Sequence, residues 1–137
     1  MGTNAFRGWL TGRRGDMVEG ALTLPLMALV SLALVNLALA GYASVTANNA
    51  VNYAARVASV AQANPTGEAM AAAQRALQAG VGEYRVNVAA DSHPGGMVQV
   101  AVEWEVPNFF GGLMPLFGQE SKPLQGTVVS AFRKEGW

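Results

Sequence analysis

The chain has 137 residues, of which 51% are hydrophobic and 13% are charged, and its nine basic and nine acidic side chains give a net charge of zero. Nucleic-acid binding requires a basic surface, so we expect no nucleic-acid partner. The chain has no cysteine, which excludes disulfide bonds, thiol chemistry and cysteine metal sites.

The longest uncharged stretch runs from residue 20 to residue 44. A bilayer core about 30 Å thick needs about 20 helical residues, so this stretch predicts one membrane span. Residues 1–15 carry three arginines and no acid, and positive charge beside a first span usually stays in the cytoplasm. We therefore expect a cytoplasmic basic leader over 1–15, a span in the inner cell membrane and an extracytoplasmic C-terminal domain. A cleaved secretory signal is the competing interpretation, which the length of the run disfavours.

The helical pattern continues beyond the apolar run. Polar side chains recur at helical spacing at Asn49, Asn52, Arg56 and Ser59, and no proline follows Pro25 until Pro65. This pattern predicts one transmembrane and stalk helix over 16–63, about 70 Å long, whose second half stands outside the bilayer. Residues 64–67 are expected to break it, and a short second helix is expected from 68 to about 79.

Alternating apolar residues then predict strands at about 84–89 and 98–106, joined by a turn. Leu124, Val128 and Phe132 indicate a third strand, although Val129 and Ser130 interrupt its alternation. Trp104 shares parity with the valines of the second strand, so we expect it to be buried. The predicted fold class is α+β, with a three-stranded antiparallel sheet in a domain over 64–137 packed on the stalk helix.

Residues 14–25 resemble the N-terminal signature of the TadE-like proteins, in which a Gly precedes a run ending in Val-Glu-Phe-Ala and a Pro lies six residues after the Glu. Glu19 and Pro25 keep that interval, and residues 49–58 and 132–135 are similar to later family segments. The sequence departs from the signature at Gly20, where Phe is common, and by having three residues rather than four between Gly15 and Glu19.

The resemblance implies a pilin-like fold and a pseudopilin or minor pilin that helps assemble a Tad-type type IV pilus or a related secretion machine. It implies that the partners are membrane lipid and other pilin-like subunits. These subunits would form a homo- or hetero-oligomer, such as an extracellular filament. It also implies a prepilin peptidase, for which Gly15 and Asp16 form the candidate cleavage site. No cofactor, metal or small-molecule substrate is expected.

Three residues are candidate assembly contacts. An acid at the edge of hydrocarbon costs several kcal/mol unless it is paired, and in pilin-like packing Glu19 would pair with the terminal amine of a neighbouring subunit. Alternatively, Glu19 lies among headgroups at a helix N-terminus, which favours an acid by about 0.3–1 kcal/mol. Pro25 loosens one helical turn, giving a flexible segment or a simple kink. Asn36 bonds either to a partner helix, at about 1 kcal/mol, or to a local carbonyl.

The glycine-broken segment 108–118 is predicted to be a loop rich in large apolar side chains. Such a loop either binds a partner subunit or the membrane surface, or folds back over the sheet edge. The candidate partner-binding residues are Phe109, Phe110, Leu113, Met114, Leu116 and Phe117.

Glu103 and Glu105 lie two residues apart on one strand face, about 7 Å from each other, a separation that paired catalytic carboxylates also use. A solvated strand face gives the same pattern. His93 is the only histidine and lies in a predicted turn, with no second His and no Cys to form a metal site. We therefore expect no enzyme, and a tethered hydrolase is the remote alternative. The main alternative function is a single-pass accessory subunit of another membrane complex.

Overall fold

The computed structural model of the chain describes residues 5–91, 93 and 95–135. Over these residues the chain forms α1 (Ala5–Val60), α2 (Pro65–Leu77), β1 (Glu83–Ala90), β2 (Met97–Val106) and β3 (Leu124–Arg133). Two 3₁₀ turns, Phe109–Gly112 and Met114–Phe117, lie between β2 and β3. The structure confirms the predicted α+β layout of a long N-terminal helix, a short second helix and a three-stranded antiparallel sheet.

The helix boundaries differ from the predicted ones. Helix α1 (Ala5–Val60) already includes residues 5–15, whereas the predicted helix starts at residue 16. Residues 5–15 hold glycines but no proline, and each glycine weakens a helix by only about 1 kcal/mol. Helix α1 ends at Val60. Helix α2 begins at Pro65, three residues before the predicted start, because proline is favoured at the first helical position and the Asn64 side chain accepts a hydrogen bond from the Gly67 N–H at 3.0 Å.

The sheet has the order β1-β2-β3, and both pairs are antiparallel. Val102 pairs with Val86 on one side and with Val128 on the other, so one face of the sheet carries the apolar residues. Ser130 also lies on this inner face, and its hydroxyl donates to Asn52 Oδ1 of α1 at 2.8 Å. Strand β3 therefore tolerates a polar residue on its inner face, because Asn52 of α1 accepts the hydrogen bond of the Ser130 hydroxyl.

The core lies between the inner face of the sheet and the two helices. Its helix side is almost entirely alanine, which allows close approach to the sheet, and its sheet side is valine from β2. Fully buried members are Ala47, Ala50, Val51, Ala54, Ala55, Ala58, Ala69, Ala72, Ala73, Val98, Val100 and Val102.

Trp104 packs against this core, as its parity with the valines predicts, but it is half-buried rather than buried. Its cross-strand neighbour on β3 is Gly126. A Cβ atom on residue 126 would lie 2.6 Å from Trp104 Cζ2, so the indole occupies the space that any larger residue would fill. The ring thus covers the end of the sheet rather than its centre.

The chain divides between Val35 and Asn36 into two compact units. The second unit contains the half of α1 from Asn36 to Val60, helix α2 and the whole sheet. At one end of this unit the Glu135 N–H donates to the Ser59 carbonyl at 3.0 Å. At the other end Asn36 contacts the β2–β3 connection. The second half of α1 is therefore an integral part of the globular domain.

Candidate functional site

The first functional feature is the apolar segment of α1 over residues 17–35. All its described side chains are exposed except Leu32, which is half-exposed. At 1.5 Å per residue the segment is about 28 Å long, close to the thickness of a bilayer's hydrocarbon core. The part of α1 from Met17 to Val60 is long and apolar enough to cross a membrane, near the N-terminus of the chain.

Polar groups within this segment are accommodated by the helix itself. The Thr23 hydroxyl donates to the Glu19 carbonyl at 2.7 Å, and the Ser31 hydroxyl donates to the Met27 carbonyl at 2.8 Å. Such bonds satisfy hydroxyl groups in an apolar environment. The Glu19 side chain is exposed at the start of the segment, and α1 remains helical through Pro25.

The candidate cleavage site, Gly15 and Asp16, also lies within α1, and the structure describes only its backbone.

Asn36 is the first residue of the second unit, and its side chain is 6% exposed. Its Nδ2 donates to Asn108 Oδ1 at 3.0 Å, and its Oδ1 accepts from the Phe109 N–H at 3.2 Å. These bonds connect α1 to a segment more than 70 residues later in the chain. The observed partners of this side chain belong to its own chain and lie far along it. The bond to a partner helix therefore stays a prediction.

Asn108 is the centre of this network. Besides bonding Asn36, its Oδ1 accepts from the Phe110 N–H at 3.0 Å and its Nδ2 donates to the Lys122 carbonyl at 3.1 Å. It thereby caps the first 3₁₀ turn and joins the start of the β2–β3 connection to its end. The sequence interpretation did not single out Asn108, although asparagine directly before a helical turn is a favoured capping residue.

The predicted loop forms the two 3₁₀ turns, and we call residues 108–118 the 3₁₀ segment. Its apolar side chains divide into two groups. Phe109 and Leu116 are 47% and 78% exposed, whereas Phe110, Leu113 and Met114 are half-buried. The Phe117 side chain lies outside the described part. The segment therefore shields part of its apolar surface and exposes the rest.

The outer face of the sheet carries Glu103 and Glu105. In the strand register Glu103 lies opposite Arg85, which has the opposite charge, and Glu105 lies opposite Glu83, which has the same charge. These residues line an open concavity of about 410 Å³ together with Trp104, Gln125, Gly126 and Thr127. Among the described residues no three His, Cys, Asp or Glu side chains are grouped to hold a metal ion. His93 is exposed in the β1–β2 connection.

A second, shallower groove of about 320 Å³ lies between α2 and β1 and is lined by Met70, Gln74, Leu77, Gln78, Tyr84 and Val86. The Tyr84 hydroxyl donates to the Val81 carbonyl at 3.0 Å. Burial raises the pKa of the Tyr84 phenol above its ordinary value, and this hydrogen bond opposes the rise. The groove is lined by apolar, amide and phenol side chains, with no carboxylate or basic group among them.

Comparison of the chain with models of protein families, with curated proteins and with solved structures finds no significant match. Function is therefore inferred from the residues and their geometry. Two features stand out: the exposed apolar segment of α1, and the 3₁₀ segment tied to Asn36 where that apolar segment ends.

Proposed function

We propose that this protein is a non-enzymatic, membrane-anchored pilin or pseudopilin subunit that takes part in assembling a Tad-type type IV pilus or a related filament or secretion machine. The observation that carries the proposal is the dual character of α1. Over 17–35 it exposes apolar side chains on all sides, whereas over 43–58 it buries an alanine face against the sheet. One helix is thus suited both to lipid and to the core of an outer domain.

The sequence pattern supplies the rest of the proposal. The spacing of Glu19 and Pro25 and the resemblance of residues 14–25 to TadE-like proteins point to assembly through the N-terminal helix. The arginines of the leader support an orientation with the N-terminus in the cytoplasm and the sheet domain outside the inner membrane. The partners are membrane lipid, further pilin-like subunits and a prepilin peptidase acting between Gly15 and Asp16.

Glu19 has a defined role in this proposal. A carboxylate beside hydrocarbon is costly, and a cation from a neighbouring subunit offsets that cost only in the assembled state. The contact therefore favours assembly without contributing to the fold of one subunit.

The test replaces Glu19 with Gln, with Glu19→Asp as the control that keeps the charge. We expect Glu19→Gln to accumulate in the membrane fraction like the parent protein but to give a reduced yield of cross-linked oligomers or sheared filaments. Glu19→Asp should retain more of the assembly. If Glu19→Gln assembles like the parent, the pairing role is wrong.

The second candidate function is that of a single-pass accessory subunit in another membrane complex, binding through the span and the 3₁₀ segment. The exposure of Phe109 and Leu116 favours it. This function would be favoured over the first if the protein co-purified with a fixed membrane complex and if Glu19→Gln did not reduce its assembly into that complex.

A further inference from the structure

We propose that the 3₁₀ segment rests on the outer surface of the membrane that α1 crosses, with the Phe109 and Leu116 side chains inserted at the boundary between headgroups and acyl chains. This inference rests on the proposed membrane anchor and adds a second lipid contact to it. The occupant of the apolar surface is the lipid bilayer itself rather than another protein.

The position at which the 3₁₀ segment is attached to α1 gives the first argument. Asn36 holds Asn108 and the Phe109 backbone at one end of the globular unit, whereas Ser59 holds Glu135 at the other. These two attachment points are about 35 Å apart along the helix. The β2–β3 connection therefore lies at the end of the unit that starts with residue 36.

The length of the exposed apolar segment carries the second step. Residues 17–35 provide about 28 Å of helix for a hydrocarbon core of about 30 Å. If this segment spans the bilayer, residue 36 lies at the membrane surface. Leu37 on the same turn is still 70% exposed, as expected of a residue beside lipid. A segment fixed to Asn36 by two hydrogen bonds is then held at that surface.

The chemistry of the segment favours lipid over a protein partner. Within its backbone the N–H groups of Gly111, Leu113, Leu116 and Gly118 donate to carbonyls of the same segment at 2.9–3.1 Å. Pro115 has no N–H to satisfy. Irregular backbone approaches hydrocarbon only when its polar groups are bonded internally. A protein interface, in contrast, usually surrounds apolar anchors with hydrogen bonds to the partner.

The test uses the full-length protein reconstituted in phosphatidylcholine–phosphatidylglycerol vesicles. Because the chain has no cysteine, a single cysteine carries an environment-sensitive fluorophore without competing sites. Three variants are compared: Leu116→Cys in the 3₁₀ segment, Leu26→Cys in the apolar segment, and Gln99→Cys on the exposed face of β2. Nitroxide-labelled lipids, with the quencher either near the headgroup or deep in the acyl chain, report the depth of each probe.

We expect the probe at Leu116 to be quenched several-fold more strongly by the shallow nitroxide than the probe at Gln99, and to emit at a shorter wavelength. The probe at Leu26 should be quenched best by the deep nitroxide. If Leu26 responds and Leu116 behaves like Gln99, the anchor stands and the lipid contact of the 3₁₀ segment is refuted. If Leu116 is water-exposed in vesicles and becomes shielded only when a partner protein is added, a protein docking surface replaces this inference. If Leu26 is not quenched, the anchor fails and the inference fails with it.

Discussion

Asn36 and Asn108 show how two uncharged polar residues can fix the position of a distant segment. Each amide side chain has both donor and acceptor groups, so Asn36 can donate one hydrogen bond to Asn108 while both side chains still bond the backbone of the segment. Because Asn36 is buried, losing its partner would leave a polar group without water to replace it. The pair therefore determines where the apolar side chains of the 3₁₀ segment are presented.

Replacing Asn108 with Ala should loosen the 3₁₀ segment. The change removes the acceptor for Asn36 and Phe110 and the donor for Lys122, at about 1–3 kcal/mol, so the amides of the segment should exchange with solvent about tenfold faster or more. Asn87→Ala, at an exposed position on β1, is the matched control and should leave this exchange unchanged. Equal exchange in the parent and Asn108→Ala proteins would mean that the asparagine pair does not position the segment.

The contact between Trp104 and Gly126 gives a second prediction at this scale. Gly126→Ala should destabilise the sheet by about 1–3 kcal/mol, because the new methyl group would overlap the indole ring. Gly112→Ala is the control, since a Cβ there meets no atom within 4 Å. Trp104→Ala should cost about 2 kcal/mol, less than for a fully buried tryptophan, and Glu103→Gln should cost little. The urea midpoint of the detergent-solubilised protein measures all four, and equal midpoints for Gly126→Ala and Gly112→Ala would contradict the contact.

Among the secondary-structure elements, the strands were predictable because their signal is local. Alternation placed β1 and β2, and the paired valines follow from it. The start of α2 differs from the predicted one because proline breaks a helix in its interior, whereas directly after a capping asparagine it starts one. The interruption in β3 could not be explained from sequence alone, since Ser130 is satisfied by Asn52 from a distant part of the chain.

The start of α2 can be tested by changing its cap. Asn64→Ala removes the acceptor for the Gly67 N–H and should destabilise the domain by about 1 kcal/mol. Asn64→Asp keeps an acceptor of equal capping strength and should behave like the parent. Hydrogen exchange of the first-turn amides of α2 measures the effect. A loss of protection in both variants would show that the Asn64 side chain stabilises the helix by something other than accepting the Gly67 N–H hydrogen bond.

At the scale of the whole molecule, composition and periodicity were sufficient to predict an apolar helix followed by a small α+β domain. They were not sufficient to place the domain's first residue. The uncharged run that predicts one span extends to residue 44, but Asn36 and Ala43 are buried within the second unit. Burial by a segment from the far end of the chain cannot be recognised from hydropathy, because alanines that face lipid and alanines that face a sheet look alike in sequence.

The orientation proposed for the chain predicts which residues a membrane-impermeant thiol reagent can reach. Ser92, in the predicted turn between the first two strands, would be one position for a single cysteine but lies outside the described residues. Gln99, which is exposed on β2, is therefore the better position. Under the proposed orientation, in which the leader arginines favour a cytoplasmic N-terminus, Gln99→Cys should react in intact cells, or after permeabilisation of the outer membrane where there is one. A cysteine at Thr3 serves as the opposite control. It is followed in the precursor that still carries residues 1–15, because the proposed peptidase would remove them, and it should react only after complete lysis. Cells in which Thr3→Cys is labelled and Gln99→Cys is protected would require the reverse orientation, with the sheet domain in the cytoplasm and no route into an extracellular filament.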